Sequence, residues 1–189
     1  MFKNKNILVG ITGGIAAYKA CGLISYLRGN GANVDVIMTE HATNFITPLT
    51  IESLAGSNVV VDMFKRPTHR EVEHISLAKK ADLVLVVPAT ANIIGKVANG
   101  IADDMLSTTI MATKAPVIFA PAMNNQMYEN PIVQDNIKKL EAYGYHFIEP
   151  AMGHLACGGE AIGKLPETKV LVKRTEEIIK NMEEVKWKK

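Results

Sequence analysis

Apolar runs alternate with amphipathic stretches along almost the whole chain. Ile7–Gly10 is a short apolar run that leads into Thr12-Gly13-Gly14, and a helical period follows over Ile15–Arg28 until Gly29-Asn30-Gly31 breaks it. Asn33–Met38 reads as a second strand. Helices are predicted over His41–Phe45 and Pro48–Leu54, a weak strand over Asn58–Val61, a polar loop over Arg66–Glu73, and a short helix over His74–Lys80. Leu83–Val87 is the strongest buried strand. Ala91–Val97 and Asp104–Ala112 read as helices and Pro116–Ala120 as a strand. Pro131–Tyr143 is an amphipathic helix stopped by Gly144, and Tyr145–Ile148 is the last strand. Gly153–Gly163 reads as a glycine-rich loop. Glu167–Val185 reads as a terminal helix with one charged face.

Strands that alternate with helices in this way predict an α/β fold of three layers, a parallel sheet with helices on both faces. In such sheets ligands bind beyond the carboxyl ends of the strands. The loops after Gly10, Met38, Val87 and Ala120 should therefore surround one pocket. We read residues 1–180 as a single domain and 181–189 as a basic tail ending Lys186-Trp187-Lys188-Lys189. No repeat or linker interrupts it.

Composition narrows the function classes. Of the 189 residues, 48% are hydrophobic and 21% charged, which suits a soluble globular protein, and a net charge of +2 argues against a nucleic-acid partner. No apolar run has transmembrane length and the first residues form no signal peptide, so no membrane association is expected and the expected compartment is the cytoplasm. Cys21 and Cys157 lie far apart, form no metal-type spacing, and should be free thiols.

Four segments carry candidate chemistry. Gly10-Ile11-Thr12-Gly13-Gly14-Ile15 lets a backbone approach a ligand and opens onto a helix start, where a phosphate fits; a tight turn is the bland alternative. Pro88-Ala89-Thr90-Ala91-Asn92 follows the strongest strand, and Thr90 either caps the next helix or bonds a ligand. Pro121-Ala122-Met123-Asn124-Asn125-Gln126-Met127-Tyr128 is poor core material. Its asparagines can recognise a carboxylate or cap the following helix. His154-Leu155-Ala156-Cys157-Gly158-Gly159-Glu160 places a thiol in a glycine-rich stretch, where it can exchange a proton, whereas Cys21 reads as core. His74, between Glu73 and Ile75, reads by itself as a cap or a surface histidine.

Taken together, these segments resemble one family. Thr12-Gly13-Gly14-Ile15-Ala16-Ala17-Tyr18-Lys19, His74-Ile75 before Ala81-Asp82, Pro88-Ala89-Thr90-Ala91-Asn92, Pro121-Ala122-Met123-Asn124 and Ala156-Cys157-Gly158 follow the order and spacing of the homo-oligomeric flavin-containing cysteine decarboxylases. The resemblance covers the chain to about residue 180 and is closest to the branch that serves coenzyme A biosynthesis. It implies a flavodoxin-like (Rossmann-like) fold and bound FMN. It also implies a small-molecule substrate, 4′-phosphopantothenoylcysteine, and a homotrimer or homododecamer with sites at subunit junctions. In many bacteria this domain is fused to a phosphopantothenate–cysteine ligase, and the chain stops about where that domain would begin. His74 matches the catalytic histidine, Asn124 the asparagine that holds the substrate carboxylate, and Cys157, flanked by substrate-contacting Ala156 and Gly158, the late proton donor. Gly13, Gly14, Ile15, Thr39, Thr90, Ala91, Asn92 and Ala122 fall where the family contacts FMN. One departure stands out. Gly159 replaces the usual Asp, and Gly163-Lys164-Leu165 replaces Gly-Arg-Met.

The implied reaction suits these residues. Loss of CO2 from a cysteine carboxylate leaves electrons with no acceptor unless the side chain is first oxidised to a thioaldehyde, a redox task for flavin. Three rivals were weighed. A peptidyl-cysteine decarboxylase of the lantibiotic type stops at the enethiol and has no use for the loop cysteine. A flavin prenyltransferase lacks the Pro-Ala-Met-Asn and Ala-Cys-Gly pairing. A non-catalytic FMN-binding regulatory subunit has no need of His74, Asn124 and Cys157 together.

Overall fold

The computed structural model describes residues 1–64, 72–154 and 158–186. Strands β1 (Asn6–Ile11), β2 (Asn33–Met38), β3 (Val59–Val60), β4 (Leu83–Ala89), β5 (Val117–Pro121) and β6 (His146–Phe147) form one parallel sheet in the order β3-β2-β1-β4-β5-β6. β4 is buried at every position because helices cover both faces of the sheet.

The pleat sorts these apolar runs into two cores. Ile7, Val9 and Ile11 of β1 enter one layer and Leu8 the other, since successive side chains point to opposite faces. The first layer is closed by α1 (Ala20–Gly29), α2 (Pro48–Ala55) and α8 (Thr168–Lys186), through Leu23, Leu27, Ile51 and Leu171. The second is closed by α4 (Ala91–Ala98), α5 (Met105–Ala112) and α7 (Pro131–Ala142), through Ile93, Leu106, Ile137 and Leu140. Each fully buried side chain of this size contributes about 1.5–3 kcal/mol.

Local signals set the helix ends. Thr47 caps α2 by accepting the Thr50 N–H, Pro48 opens the helix, and Gly56 ends it at φ 64°. Asp104 and Ser107 form a reciprocal capping box at the start of α5. Helix α3 (Glu73–Lys80) lies beside α5, and Thr113 Oγ1 donates to the Ala78 carbonyl at 2.9 Å.

Several elements depart from the sequence reading. The helix expected from Ile15 begins as a 3-10 turn, Ile15–Lys19, and becomes α-helical only at Ala20. The helix expected over His41–Phe45 is likewise a 3-10 turn, Glu40–Asn44, capped by Thr39. Asn125–Tyr128 is a one-turn helix, α6. The largest correction concerns Gly153–Gly163. It is not simply a loop, because β7 (Ala151–His154) and β8 (Glu160–Lys164) pair as an antiparallel hairpin outside the main sheet. Gly153 and Gly163 take φ values of 156° and 131°, which L side chains rarely adopt. Here glycine serves strand geometry, and its abundance hid the strands.

Candidate functional site

The strand order reverses between β1 and β4, so the loops leaving these two strands flank a crevice. Thr12, almost fully buried, ties them together. Its Oγ1 donates to the Pro88 carbonyl at 2.7 Å and accepts the Thr90 N–H at 3.1 Å. The loop after β2 presses in from the side. A Cβ on Gly13 would stand 2.5 Å from His41 Cβ and 2.9 Å from its carbonyl carbon, so only glycine fits there. A Cβ on Gly14 would instead meet only Thr90 Cγ2, at 3.8 Å.

Two adjoining cavities open above these loops. The first, of about 600 Å³, is lined by Gly14, Ile15, Ala122 and Asn124, and also by Lys19, His154, Lys164 and Leu165. The second, of about 450 Å³, is lined by Thr39, Asn92, Lys96, Asp103 and Asp104, with Thr12, Glu40 and His41. Gly13, Thr90, Ala91 and Met127 line both. The structure thus gathers Gly13, Gly14, Ile15, Thr39, Thr90, Ala91, Asn92, Ala122 and Asn124 around one composite site. His74 lines neither cavity; it sits half-buried in the first turn of α3. Ala156 and Cys157 lie outside the described residues. Gly158 is exposed, and it and Gly159 take φ values of 96° and 79°.

Asn124 sits in the wall of the first cavity and caps α6, its Oδ1 accepting the Gln126 N–H at 2.9 Å. Capping and cavity placement therefore coexist at one residue. The hairpin is fastened beside it. The Met123 N–H donates to the Gly163 carbonyl at 3.1 Å, and a Cβ on Gly163 would collide with the Met123 carbonyl oxygen. Lys19 secures the hairpin's root, donating to the Leu165 carbonyl at 3.1 Å and to Glu167 Oε1 at 2.9 Å. That ion pair holds the Glu167 carboxyl below its ordinary range.

In the second cavity, Lys96 Nζ lies 2.7 Å from Asp103 Oδ1 and 2.8 Å from Asp104 Oδ2. Burial alone would lower the lysine pKa, but the two carboxylates outweigh it and raise it. Burial would raise the Asp104 pKa, but Lys96 and the Ser107 N–H bring it below the usual carboxylate value. Cys21 packs half-buried against the first core, and burial pushes its thiol pKa up.

Residues 1–180 match the sequence profile of the Flavoprotein family. The chain belongs to that family. It is 53% identical over 176 residues to the coenzyme A biosynthesis bifunctional protein CoaBC of Bacillus subtilis (strain 168), a match covering 93% of this chain and 43% of that protein. It is 42% identical over 175 residues to a probable phosphopantothenoylcysteine decarboxylase of Streptococcus mutans, covering 92% of this chain and 98% of that one. The chain therefore spans less than half of the bifunctional relative and nearly all of the shorter one. Among solved structures, a PPC decarboxylase mutant complexed with pantothenoylaminoethenethiol superposes with a TM-score of 0.81 at 25% identity, covering 94% of this chain and all of that one. The FMN-dependent cysteine decarboxylase SpaF gives 0.79 at 29% identity, covering 92% of this chain and 98% of that one.

Sequence reasoning assigned no role to Lys19, Lys96, Asp103, Asp104, His154, Lys164 or Leu165, all of which line the cavities. Lys19, His154, Lys164 and Leu165 stood within segments already singled out, without a role of their own, and Asp104-x-x-Ser107 is a helix-start pattern. The others meet through tertiary packing.

Proposed function

We propose that this chain binds FMN and decarboxylates 4′-phosphopantothenoylcysteine to 4′-phosphopantetheine. One observation carries the reading: an apolar cavity walled by Asn124 adjoins a polar one walled by Thr39, Thr90 and Asn92, at the point where the strand order reverses. The likeness to the Streptococcus mutans protein supports the choice of substrate.

The residues present fit a flavin nucleotide. Each of the two cavities has the size of a small-molecule or cofactor site, roughly 300–1,000 Å³. The space beside Gly14 is open, Thr39 and Thr90 offer hydroxyls, and the first turn of α4 offers N–H groups to an anion. When bound, FMN supplies the two-electron chemistry that makes a cysteine carboxylate labile. Asn124 orients that carboxylate, a task for which an asparagine carries both donor and acceptor groups. His74 moves the substrate's thiol proton, a task that suits an imidazole near neutral pH. Cys157 then donates the proton that completes the reduced product, a role that suits a thiol because thiols are far stronger acids than alcohols. Ala156 and Gly158 hold the substrate on either side of it.

His74 faces neither cavity of its own chain. This favours a site completed by a neighbouring copy in a trimer or dodecamer; for its compartment we propose the cytoplasm, where coenzyme A biosynthesis would place it. In a longer polypeptide, as in the CoaBC relatives, the same unit would work beside a ligase domain. The deciding experiment incubates the FMN-loaded protein with 4′-phosphopantothenoylcysteine and follows CO2 and product mass. Release of CO2 with the fully reduced thiol, 4′-phosphopantetheine, is expected. A protein that takes up no FMN, or takes it up and releases no CO2, sinks the reading. A product two hydrogens lighter than this thiol would mark an enzyme that stops at the enethiol.

A further inference from the structure

The polar cavity is oddly acidic for a place that would receive a phosphate ester. Glu40, Asp103 and Asp104 all line it, against Lys96 and His41. A dianion set against these carboxylates needs a cation beside it. Lys96 stands one helical turn after Asn92 on α4, so the two share a face, and helical side chains lean toward the N-terminal turn. Its ammonium is therefore carried toward the same end of α4 that Thr90 caps.

The two anions holding Lys96 are unequal. Asp104 is committed elsewhere: its Oδ1 accepts the Ser107 N–H at 2.8 Å and caps α5, and its side chain is 28% exposed. Asp103 is 58% exposed, and among the described residues Lys96 is its only ion-pair partner. Because Asp103 already stands largely in solvent, it can swing away from Lys96 at small cost to its own hydration. We propose that Lys96 is the cation that recognises the flavin's phosphate, exchanging Asp103 for it while Asp104 keeps the ammonium in place. The inference rests on the FMN reading above and adds to it a residue and a counter-ion exchange.

The test titrates apoprotein with FMN and with riboflavin, which lacks the phosphate, and reads flavin fluorescence quenching. Lys96→Met should weaken FMN binding by roughly tenfold or more while changing riboflavin binding far less, so that the preference for FMN collapses. Asp103→Asn removes the competing anion and should move FMN affinity the other way, upward. This opposite sign is the sharper result, because a damaged fold would weaken both variants. Thermal unfolding of each apoprotein reports on folding separately. If Lys96→Met keeps the wild-type preference, or if Asp103→Asn weakens FMN binding, the proposal is overturned and the FMN reading stands. A lysine that discriminates phosphorylated from dephosphorylated substrate, and not FMN from riboflavin, overturns it too. If the wild-type apoprotein binds neither flavin, the FMN reading fails and this inference goes with it.

Discussion

His74 shows how far a residue's context can reassign it. In the sequence it sits between Glu73 and Ile75 and reads as a cap or a surface histidine; in the fold it lies half-buried on α3, whose N-cap is Val72, and it lines neither cavity. If its role is proton transfer, His74→Asn should bind FMN as the wild type does and lose CO2 release by about a hundredfold or more, the usual scale of general acid–base catalysis. Flavin absorbance and CO2 evolution on the same sample check this. Near-normal turnover would show that His74 takes no part in the chemistry. Cys157 is predicted to act later. An alcohol is a far weaker acid than a thiol of pKa about 8.5. Cys157→Ser should therefore release CO2 and then stall, with bleached flavin and an enethiol-type product detected by mass. Complete loss of CO2 release would place the thiol earlier in the cycle, and normal formation of the fully reduced product would show that it is not the donor.

Among the elements, α5 connects the polar cavity to the rest of the fold. Asp104 caps it, pairs with Lys96 and lines the cavity, while the helix lies against α3 and so beside the segment that carries His74. Removing the cap by Asp104→Ala should cost about 1 kcal/mol at neutral pH. The pH dependence follows from the lowered Asp104 pKa. A depressed carboxylate stabilises the fold above its unfolded pKa of about 3.9, and this is lost as the pH falls through the lower folded value. Urea unfolding should show the wild type and the variant converging as the pH drops below about 4. A gap that stays constant down to pH about 2.5 would mean that the charge of Asp104 contributes nothing. The β7–β8 hairpin is the other element with consequences. Its root is fixed through Met123–Gly163 and Lys19–Leu165, so it is held against the Asn124 segment instead of trailing from the sheet.

At the scale of the whole molecule, the composite site does not include His74, to which the proposed reaction gives the proton transfer, while large apolar side chains such as Leu49 and Phe64 remain exposed. If a neighbouring copy supplies His74, two defective variants should repair each other. Apoproteins of His74→Asn and Asn124→Asp, each nearly inactive, are mixed, allowed to exchange subunits and reloaded with FMN. Some junctions then combine an intact His74 with an intact Asn124. Recovery of a measurable fraction of CO2 release, with elution as a multiple of three subunits, is expected. No recovery despite proven subunit exchange would place both residues in one chain's site.

The sequence by itself determined the layered architecture. Runs such as Leu83–Val87 are apolar on both faces, and such a strand is stable only with helices above and below it. It also determined which loops meet, because a parallel sheet puts Gly13, Thr39, Thr90 and Ala122 at one end whatever the details of packing. Local chemistry was legible too: the capping hydroxyl at Thr90 is written in residue type and position. What only the tertiary structure decided depends on contacts between distant segments. Glycines concealed the β7–β8 pairing, since a strand built on positive φ has no apolar period to read. The partition into an apolar and a polar cavity arises where the Lys96 turn, the Asp103-Asp104 cap and the hairpin root converge, and no single segment encodes that meeting.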